Sequence, residues 1–167
     1  EYFMALKINI YRFIFISVLG VILHFTYEWS DNNRFIGLFS ATNESTWEHL
    51  KLLFFPMLLL TILELCLYSN ELPDNYIISR TAGIIGGMIF IVVAFYTYLG
   101  VVGKNYDFIN IVIYFIGVFV ALLIENKKYS NELSIDTKIG VAVLILITLA
   151  FFLFTYNPPA IGLFKEP

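Results

Sequence analysis

The sequence has little charge, one cysteine and no basic run, and each shortage excludes a class of protein. Charged residues make up 14% of the chain, against about 25% in ordinary soluble domains. The single cysteine, Cys66, excludes an intrachain disulfide and a cysteine-based metal motif. The net charge of -3 is small, and no cluster of Lys or Arg is present. Nucleic acid is therefore not an expected partner.

Familiar catalytic motifs are also missing. The sequence contains no HExxH motif of zinc proteases, no doubled ExxH motif of di-iron bundles and no GxSxG motif of serine hydrolases. A chemical site in this chain must therefore be assembled from residues that lie far apart in the sequence. A prediction of such a site depends on topology and on the positions of polar residues at helix ends.

The sequence is instead rich in apolar residues. They make up 59% of the chain, and the mean hydropathy is +0.81. Since a helix needs about 20 apolar residues to cross a bilayer, the sequence predicts an all-α integral membrane protein, a compact bundle of five transmembrane helices. We expect one domain over residues 1–167. The predicted helices cover roughly 8–27, 47–68, 80–99, 108–124 and 139–156.

Five spans force alternate helix ends onto one membrane face. The ends that share it carry HFTYEWS, NESTWEH, FYTY and FTYNPP, so the unusual polar and aromatic residues converge there. If the first residues are cytoplasmic, Lys and Arg number six on the inside and four on the outside. We therefore expect a multi-pass protein of the cytoplasmic (inner) membrane with its C-terminal end outside. The lipid bilayer is its expected surrounding, and a homodimer or a membrane-complex partner is consistent with five short helices.

Two stretches at this face carry the candidate metal ligands. His24 and Glu28 lie one helical turn apart, and Glu44, Glu48 and His49 stand at the start of the second span. Imidazole and carboxylate groups together suit zinc, manganese or iron. We predict His24, Glu28, Glu44 and His49 as metal ligands, with Glu48 and His49 as catalytic acid and base. The plainer interpretation of Glu48 is a capping box with Ser45 as N-cap.

Four further residues are candidates for substrate binding: Lys51, Tyr96, Tyr98 and Tyr156. For Lys51 the plainer interpretation is a side chain that extends its ammonium group to the interface. For the tyrosines it is an aromatic belt at the membrane surface. Glu64 is the one carboxylate predicted deep inside a span, and it is the candidate for a transport step. Glu125 is interpreted as a simple boundary residue.

The block HFTYEWS…NRFIGLFSATNESTWEHLKLLFFP and the closing FTYNPPAIGLFKEP resemble the motifs of a family of small bacterial polytopic membrane proteins of unknown function. The resemblance implies a polytopic fold and no activity. Three function classes follow from the residues: a metal-dependent membrane hydrolase acting on a lipid or lipid-linked substrate, an ion or small-solute transporter using Glu64, and an accessory subunit of a membrane complex.

Overall fold

Five α-helices make up most of the chain. The structure, a computed structural model, describes residues 2–129 and 136–167, and for 2–8 and 128–129 it describes the backbone alone. The helices are α1 (Tyr2–Trp29), α2 (Thr46–Tyr68), α3 (Tyr76–Val102), α4 (Asp107–Tyr129) and α5 (Thr137–Tyr156). Short 3₁₀ turns lie at Ile36–Leu38 and Gly162–Phe164. Between the predicted fourth and fifth spans, residues 130–135 lie outside the described residues.

All five helices are long and apolar enough to cross a membrane, with mean hydropathy between 1.7 and 2.6 over their spans. The all-helical class and the number of apolar helices are confirmed. Two helices begin earlier than predicted, since α1 starts at Tyr2 and α3 at Tyr76. Arg80, predicted as the first residue of the third span, therefore lies one turn inside α3, and Arg12 lies nearly three turns inside α1.

Helix α2 is the centre of the bundle. Its span is 61% buried, whereas those of the other four helices are only 22–28% buried. Leu53, Phe54 and Met57 are fully buried and belong to one apolar core with Ile16 of α1 and Phe151 of α5. Because α2 contacts all the other helices, polar residues near both of its ends are surrounded by residues from several elements.

The glycines of α3 allow close packing against α4, because residues without a large side chain let two helices approach closely. A Cβ atom at Gly83 would lie 2.6 Å from the carbonyl oxygen of Ala121, and one at Gly87 would lie 2.8 Å from the Ala121 methyl. No larger side chain fits at either position without a shift of backbone or methyl groups. This contact fixes α4 beside α3, and it sets the distance at which α4 faces α1.

The loop between α1 and α2 folds back against the helix ends. The Ser40 hydroxyl accepts a hydrogen bond from the Tyr27 backbone N–H at 3.0 Å and donates one to the Leu23 carbonyl. The residues after α5 also return to this end of the bundle, where the Phe164 ring lies 4.8 Å from that of Trp47. We call this the histidine end: the ends of α1, α3 and α5 with the starts of α2 and α4.

Candidate metal centre and pocket

Three of the predicted metal ligands meet at the histidine end. His24 comes from the last two turns of α1, His49 from the first turn of α2, and Glu44 from the loop before α2. One ligand atom from each residue lies within 4.8 Å of the others. Nε2 of His49 is 3.3 Å from a Glu44 oxygen, and Nε2 of His24 is 3.9 Å from the other oxygen. Two imidazoles and one carboxylate thus face a common point.

The backbone orients His49. Its Nδ1 lies 3.0 Å from the Ser45 carbonyl oxygen, one turn back in the helix. A hydrogen bond from Nδ1–H to that carbonyl leaves Nε2 for the Glu44 side, which is the arrangement that metal-bound histidines usually have. The same geometry suits an imidazolium that donates to two oxygens. A proton and a metal ion are therefore alternative occupants of Nε2.

Glu44 is ionised over the ordinary pH range. The hydrogen bond from His49 holds the pKa of this carboxyl below its usual value of 4.5. Burial raises the pKa and partly opposes this effect, whereas positive charge on the two imidazoles lowers it further. The Glu44 carboxylate is also 64% exposed, so an ion can reach it from outside. Its backbone N–H donates to a Glu166 oxygen at 3.3 Å, which places a second carboxylate beside the group.

The three ligands border a pocket of about 770 Å³. Most of its lining is apolar or aromatic, and its polar lining residues include the three ligands. Val21 and Phe25 of α1 and Ile111 of α4 line it, and they remain 43%, 40% and 52% exposed. The pocket therefore has an opening between α1 and α4 on the outer surface of the bundle, where a membrane-spanning helix contacts lipid. The other lining residues include Gly20, Leu52, Ile91, Phe95, Asn105, Asp107, Asn110, Ile113, Tyr114 and Glu166.

Glu28 lies outside the three-residue group. It is an exposed residue in the last turn of α1, and only its charge acts on His24. Its role as a ligand stays a prediction from the sequence, and the metal site proposed below does not include it.

The Glu48 carboxylate lies away from the pocket and is fully buried. It accepts hydrogen bonds from Lys51 Nζ at 2.7 Å and from the Thr42 backbone N–H at 2.9 Å. Ser45 is the N-cap of α2, as predicted, and its hydroxyl accepts from the Glu48 N–H at 3.4 Å. The second hydrogen bond of a capping box would run from the Ser45 N–H to the Glu48 side chain. That part of the prediction is wrong, because the Ser45 N–H donates to the Asn43 side chain instead. This leaves Glu48 as the partner of a buried lysine.

Lys51 does not extend to the interface, so that interpretation is wrong. Its side chain is 0% exposed, and Nζ donates to the carbonyl oxygens of Gly37 and Ser40 at 2.9 and 3.2 Å as well as to Glu48. All three donors of the ammonium group therefore have protein acceptors. The lysine fastens the loop onto α2, and it is not among the residues that line the pocket.

The three predicted tyrosines surround the site without lining the pocket. The Tyr96 hydroxyl lies 3.4 Å from that of Thr46, and the Tyr98 hydroxyl contacts the Tyr106 backbone N–H. The Tyr156 hydroxyl donates to the Arg34 carbonyl at 2.6 Å. Tyr96 joins α3 to the start of α2, whereas Tyr98 and Tyr156 fasten loops at the histidine end. Their roles in substrate binding stay predictions.

Glu64 belongs to a ring of four charges at the opposite end of the bundle. Its two oxygens lie 2.7 Å from Arg12 Nε and 2.6 Å from Arg80 Nη2. Glu125 closes the ring, at 3.2 Å from Arg12 Nη1 and 2.8 Å from Arg80 Nε. Tyr76 donates a further hydrogen bond to Glu64 at 2.6 Å. The four charges come from α1, α2, α3 and α4, so the interpretation of Glu125 as a simple boundary residue is wrong.

A model for a family of unknown function, DUF6512, matches residues 3–167. The chain belongs to this family. The predicted membership of a family of unknown function is confirmed, whereas the bacterial origin and the two family motifs stay predictions. No curated protein and no solved structure matches the chain. Membership of DUF6512 carries no activity, so any function must be argued from the geometry.

Sequence reasoning missed several residues that the structure brings together. Glu166 reaches the backbone of Glu44 from the far end of the chain. Tyr114 lines the pocket and donates hydrogen bonds to the Ile16 and Leu52 carbonyls at 3.1 Å. A usable signal existed for the ring. Charged residues inside membrane helices usually pair, and Arg12, Arg80 and Glu125 lie within one or two turns of the predicted span ends on the same side as Glu64.

Proposed function

We propose that this protein is a metal-dependent membrane hydrolase that cleaves an acyl lipid or a lipid-linked substrate. The observation that carries the proposal is the meeting of His24, Glu44 and His49 at the edge of a 770 Å³ pocket. Two histidines and one glutamate, with a coordination position left open, are the ligand set of many catalytic zinc sites. The same donors also suit iron, so the identity of the metal is part of the test.

The pocket supports a lipid as substrate. Its opening between α1 and α4 is bordered by exposed apolar side chains, so an acyl chain can enter sideways from the bilayer. The bond to be cleaved then lies at the polar part of the lining, beside the histidines. Pockets of 300–1,000 Å³ hold ligands of about drug size, which corresponds here to a head group and part of a chain.

The proposed chemistry needs a water, a metal and a base. A bound zinc ion lowers the pKa of water to about 7 and so supplies a nucleophile at neutral pH. In the proposed reaction, a water would give one proton to a carboxylate base as its oxygen adds to the carbonyl carbon. The carbon–oxygen or carbon–nitrogen bond would then break, and the base would return that proton to the leaving alcohol or amine. We assign the proton transfer to Glu166, because it hydrogen-bonds the backbone of Glu44 and lines the same pocket. This assignment replaces Glu48, which is held by Lys51.

Fatty-acid release tests the proposal. The purified protein is incubated with ester- and amide-linked acyl lipids in detergent, before and after chelation, and zinc or iron is then added back. We expect release to disappear on chelation and to return with one metal, and His49→Ala to remain at the chelated level. Glu28→Gln is the matched control and keeps activity, because Glu28 lies outside the ligand group. Release that survives both chelation and His49→Ala would contradict the proposal.

We also propose that the histidine end faces away from the cytoplasm. The structure changes the basis of that orientation, because Arg12 and Arg80 are in the charge ring and Lys51 is buried. Without them the count of Lys and Arg falls from six against four to four against three, which still favours a cytoplasmic N-terminal end.

Cysteine labelling tests this orientation. In a Cys66→Ser background, we expect a membrane-impermeant maleimide to label Lys104→Cys in intact cells and to leave Glu71→Cys unlabelled until the cells are opened. Both positions are exposed and lie in loops at opposite ends of the bundle. The reverse pattern would invert the orientation and place the pocket on the cytoplasmic face.

A further inference from the structure

Tyr114 of α4 connects the two helices that carry the candidate histidine ligands. Its hydroxyl oxygen lies 3.1 Å from the Ile16 carbonyl oxygen of α1 and 3.1 Å from the Leu52 carbonyl oxygen of α2. The same side chain lines the pocket that the histidines border. One hydroxyl group therefore joins α1, α2 and α4 at the wall of the pocket.

Pro56 explains why the Leu52 carbonyl needs a partner from another helix. The proline lies inside α2. Because proline has no backbone N–H, the carbonyl four residues before it, that of Leu52, loses its helical donor. In a bilayer no water is present to replace that donor, and neighbouring helices satisfy such freed carbonyls. The Tyr114 hydroxyl is in position to do so.

Gly20 lets α1 approach this same point. A Cβ atom at position 20 would overlap the Tyr114 hydroxyl and would lie 2.5 Å from the Leu52 carbonyl oxygen. Only glycine fits there without a shift of the hydroxyl or of the α2 backbone. The backbones of α1 and α2 are therefore in close contact at the place where the hydroxyl bonds to both.

This contact lies one helical turn from the metal ligands. Gly20 and His24 are four residues apart and share one face of α1. His49 and Leu52 are three residues apart and share one face of α2. The distance between the two helices at this contact therefore sets the distance between the imidazole rings, whose centroids are 5.3 Å apart. Since zinc holds nitrogen ligands at about 2.0–2.1 Å, a change in helix separation weakens its binding.

We infer that Tyr114 is a positioning residue for the metal site, and that its hydroxyl holds His24 and His49 at the separation that a metal ion requires. The inference rests on the proposed function, because it concerns the geometry of the same site. Tyr114 acts through the backbones of α1 and α2 and is not itself a ligand. A tyrosine that served only to satisfy the Leu52 carbonyl would contribute to stability and leave metal affinity unaffected.

The metal affinity of Tyr114→Phe tests the inference, since this substitution removes the hydroxyl and keeps the ring. The purified protein in detergent is titrated with zinc, and separately with iron(II) and manganese(II), in competition with a chelator. Thermal unfolding is measured on metal-free portions of the same samples. We expect the affinity for the metal that binds most tightly to fall about tenfold, the lower end of the range for groups that orient metal ligands.

Tyr76→Phe is the matched control. It also removes one tyrosine hydroxyl, which donates to Glu64 at 2.6 Å at the opposite end of the bundle. We expect this variant to unfold at a lower temperature than the wild type and to bind the metal as tightly. The comparison therefore separates a loss of stability from a change at the metal site.

Adding Pro56→Ala separates the two roles of the hydroxyl. The alanine supplies a backbone N–H for the Leu52 carbonyl, so we expect it to recover stability that Tyr114→Phe loses. The connection between α1 and α2 is still missing, so metal affinity should stay about tenfold below that of Pro56→Ala alone. This pair of variants carries the comparison if Tyr114→Phe alone is not recovered as folded protein.

Three results would overturn the inference. They are wild-type metal affinity in Tyr114→Phe, an equal loss of affinity in Tyr76→Phe, and full recovery of affinity when Pro56→Ala is added. Wild-type protein that binds none of zinc, iron and manganese defeats the proposed function instead. The failure of the inference and the failure of the proposed function are thus distinguished by the wild-type titration.

Discussion

Replacing Glu64 with Gln is expected to lower the free energy of unfolding by about 3–5 kcal/mol, the usual cost of removing one partner from a buried ion pair. The carboxylate of Glu64 contacts Arg12, Arg80 and Tyr76 at 2.6–2.7 Å. The ring holds two positive and two negative charges, so the substitution leaves an excess positive charge at the junction of four helices. A transport role for Glu64 would require one of these contacts to break in each cycle.

Thermal unfolding in detergent measures this effect. Glu71→Gln is the matched control, because the same chemical change is made in an exposed loop and should alter stability by less than about 0.5 kcal/mol. Combining Glu64→Gln with Arg80→Gln restores neutrality and leaves Arg12 paired with Glu125 at 3.2 Å. We therefore expect the double variant to be more stable than the sum of the two single effects predicts. Strict additivity, or a Glu64→Gln protein as stable as the control, would refute the ring as a structural element.

Lys51→Met is expected to cost a similar amount, about 3–5 kcal/mol, by leaving the Glu48 carboxylate buried without its cation. The substitution removes three hydrogen bonds: one to Glu48, and two that hold the loop at Gly37 and Ser40. A lysine that merely extended its ammonium group to the interface could be replaced by methionine at almost no cost. The size of the effect therefore distinguishes the two interpretations.

A second substitution separates charge from packing. Adding Glu48→Gln to Lys51→Met removes the unpaired charge, and we expect it to recover part of the lost stability. Susceptibility of the loop between α1 and α2 to limited proteolysis should rise in Lys51→Met, because the loop loses its attachment to α2. Lys104→Met, in an exposed loop, serves as the control. A Lys51→Met protein with wild-type stability and an intact loop would contradict this role.

The sequence was sufficient to predict the helices and the end of the bundle where a site would form. Long apolar segments make the helices. Because successive helices run in opposite directions, alternate helix ends share one face, so neither conclusion needs tertiary information. His24 and His49 could be placed near each other in this way. The two imidazole rings lie 5.3 Å apart between centroids.

Pairing between distant charges could not be predicted in the same way. Arg12 is 52 residues from Glu64 and 113 residues from Glu125 in the sequence. A hydropathy pattern tolerates an isolated charge near the end of a span and treats it as part of a loop. Which charges face each other depends on the rotation of each helix about its axis, and tight packing such as that of Gly83 against Ala121 sets this rotation.

The pairing of Glu48 with Lys51 could not be predicted from the sequence, for a local reason. Glu48 occupies a position that a capping box explains fully, so the sequence offered no reason to look for a second partner. The structure shows that its carboxylate turns to the loop side, where Thr42 and Lys51 enclose it. Glu166 was missed because its position beside Glu44 depends on the return of the chain after α5, which Phe164 fixes by packing on Trp47.

The metal content of the purified protein tests the central claim most directly. Elemental analysis of protein produced with zinc, manganese and iron in the medium should give close to one metal ion per chain. We expect zinc, with the metal lost in His24→Ala and in His49→Ala and kept in Glu28→Gln. Stoichiometric iron or manganese would also support the site, because the same donors suit those metals. Wild-type protein without stoichiometric metal, or metal retained in both histidine variants, would contradict the account.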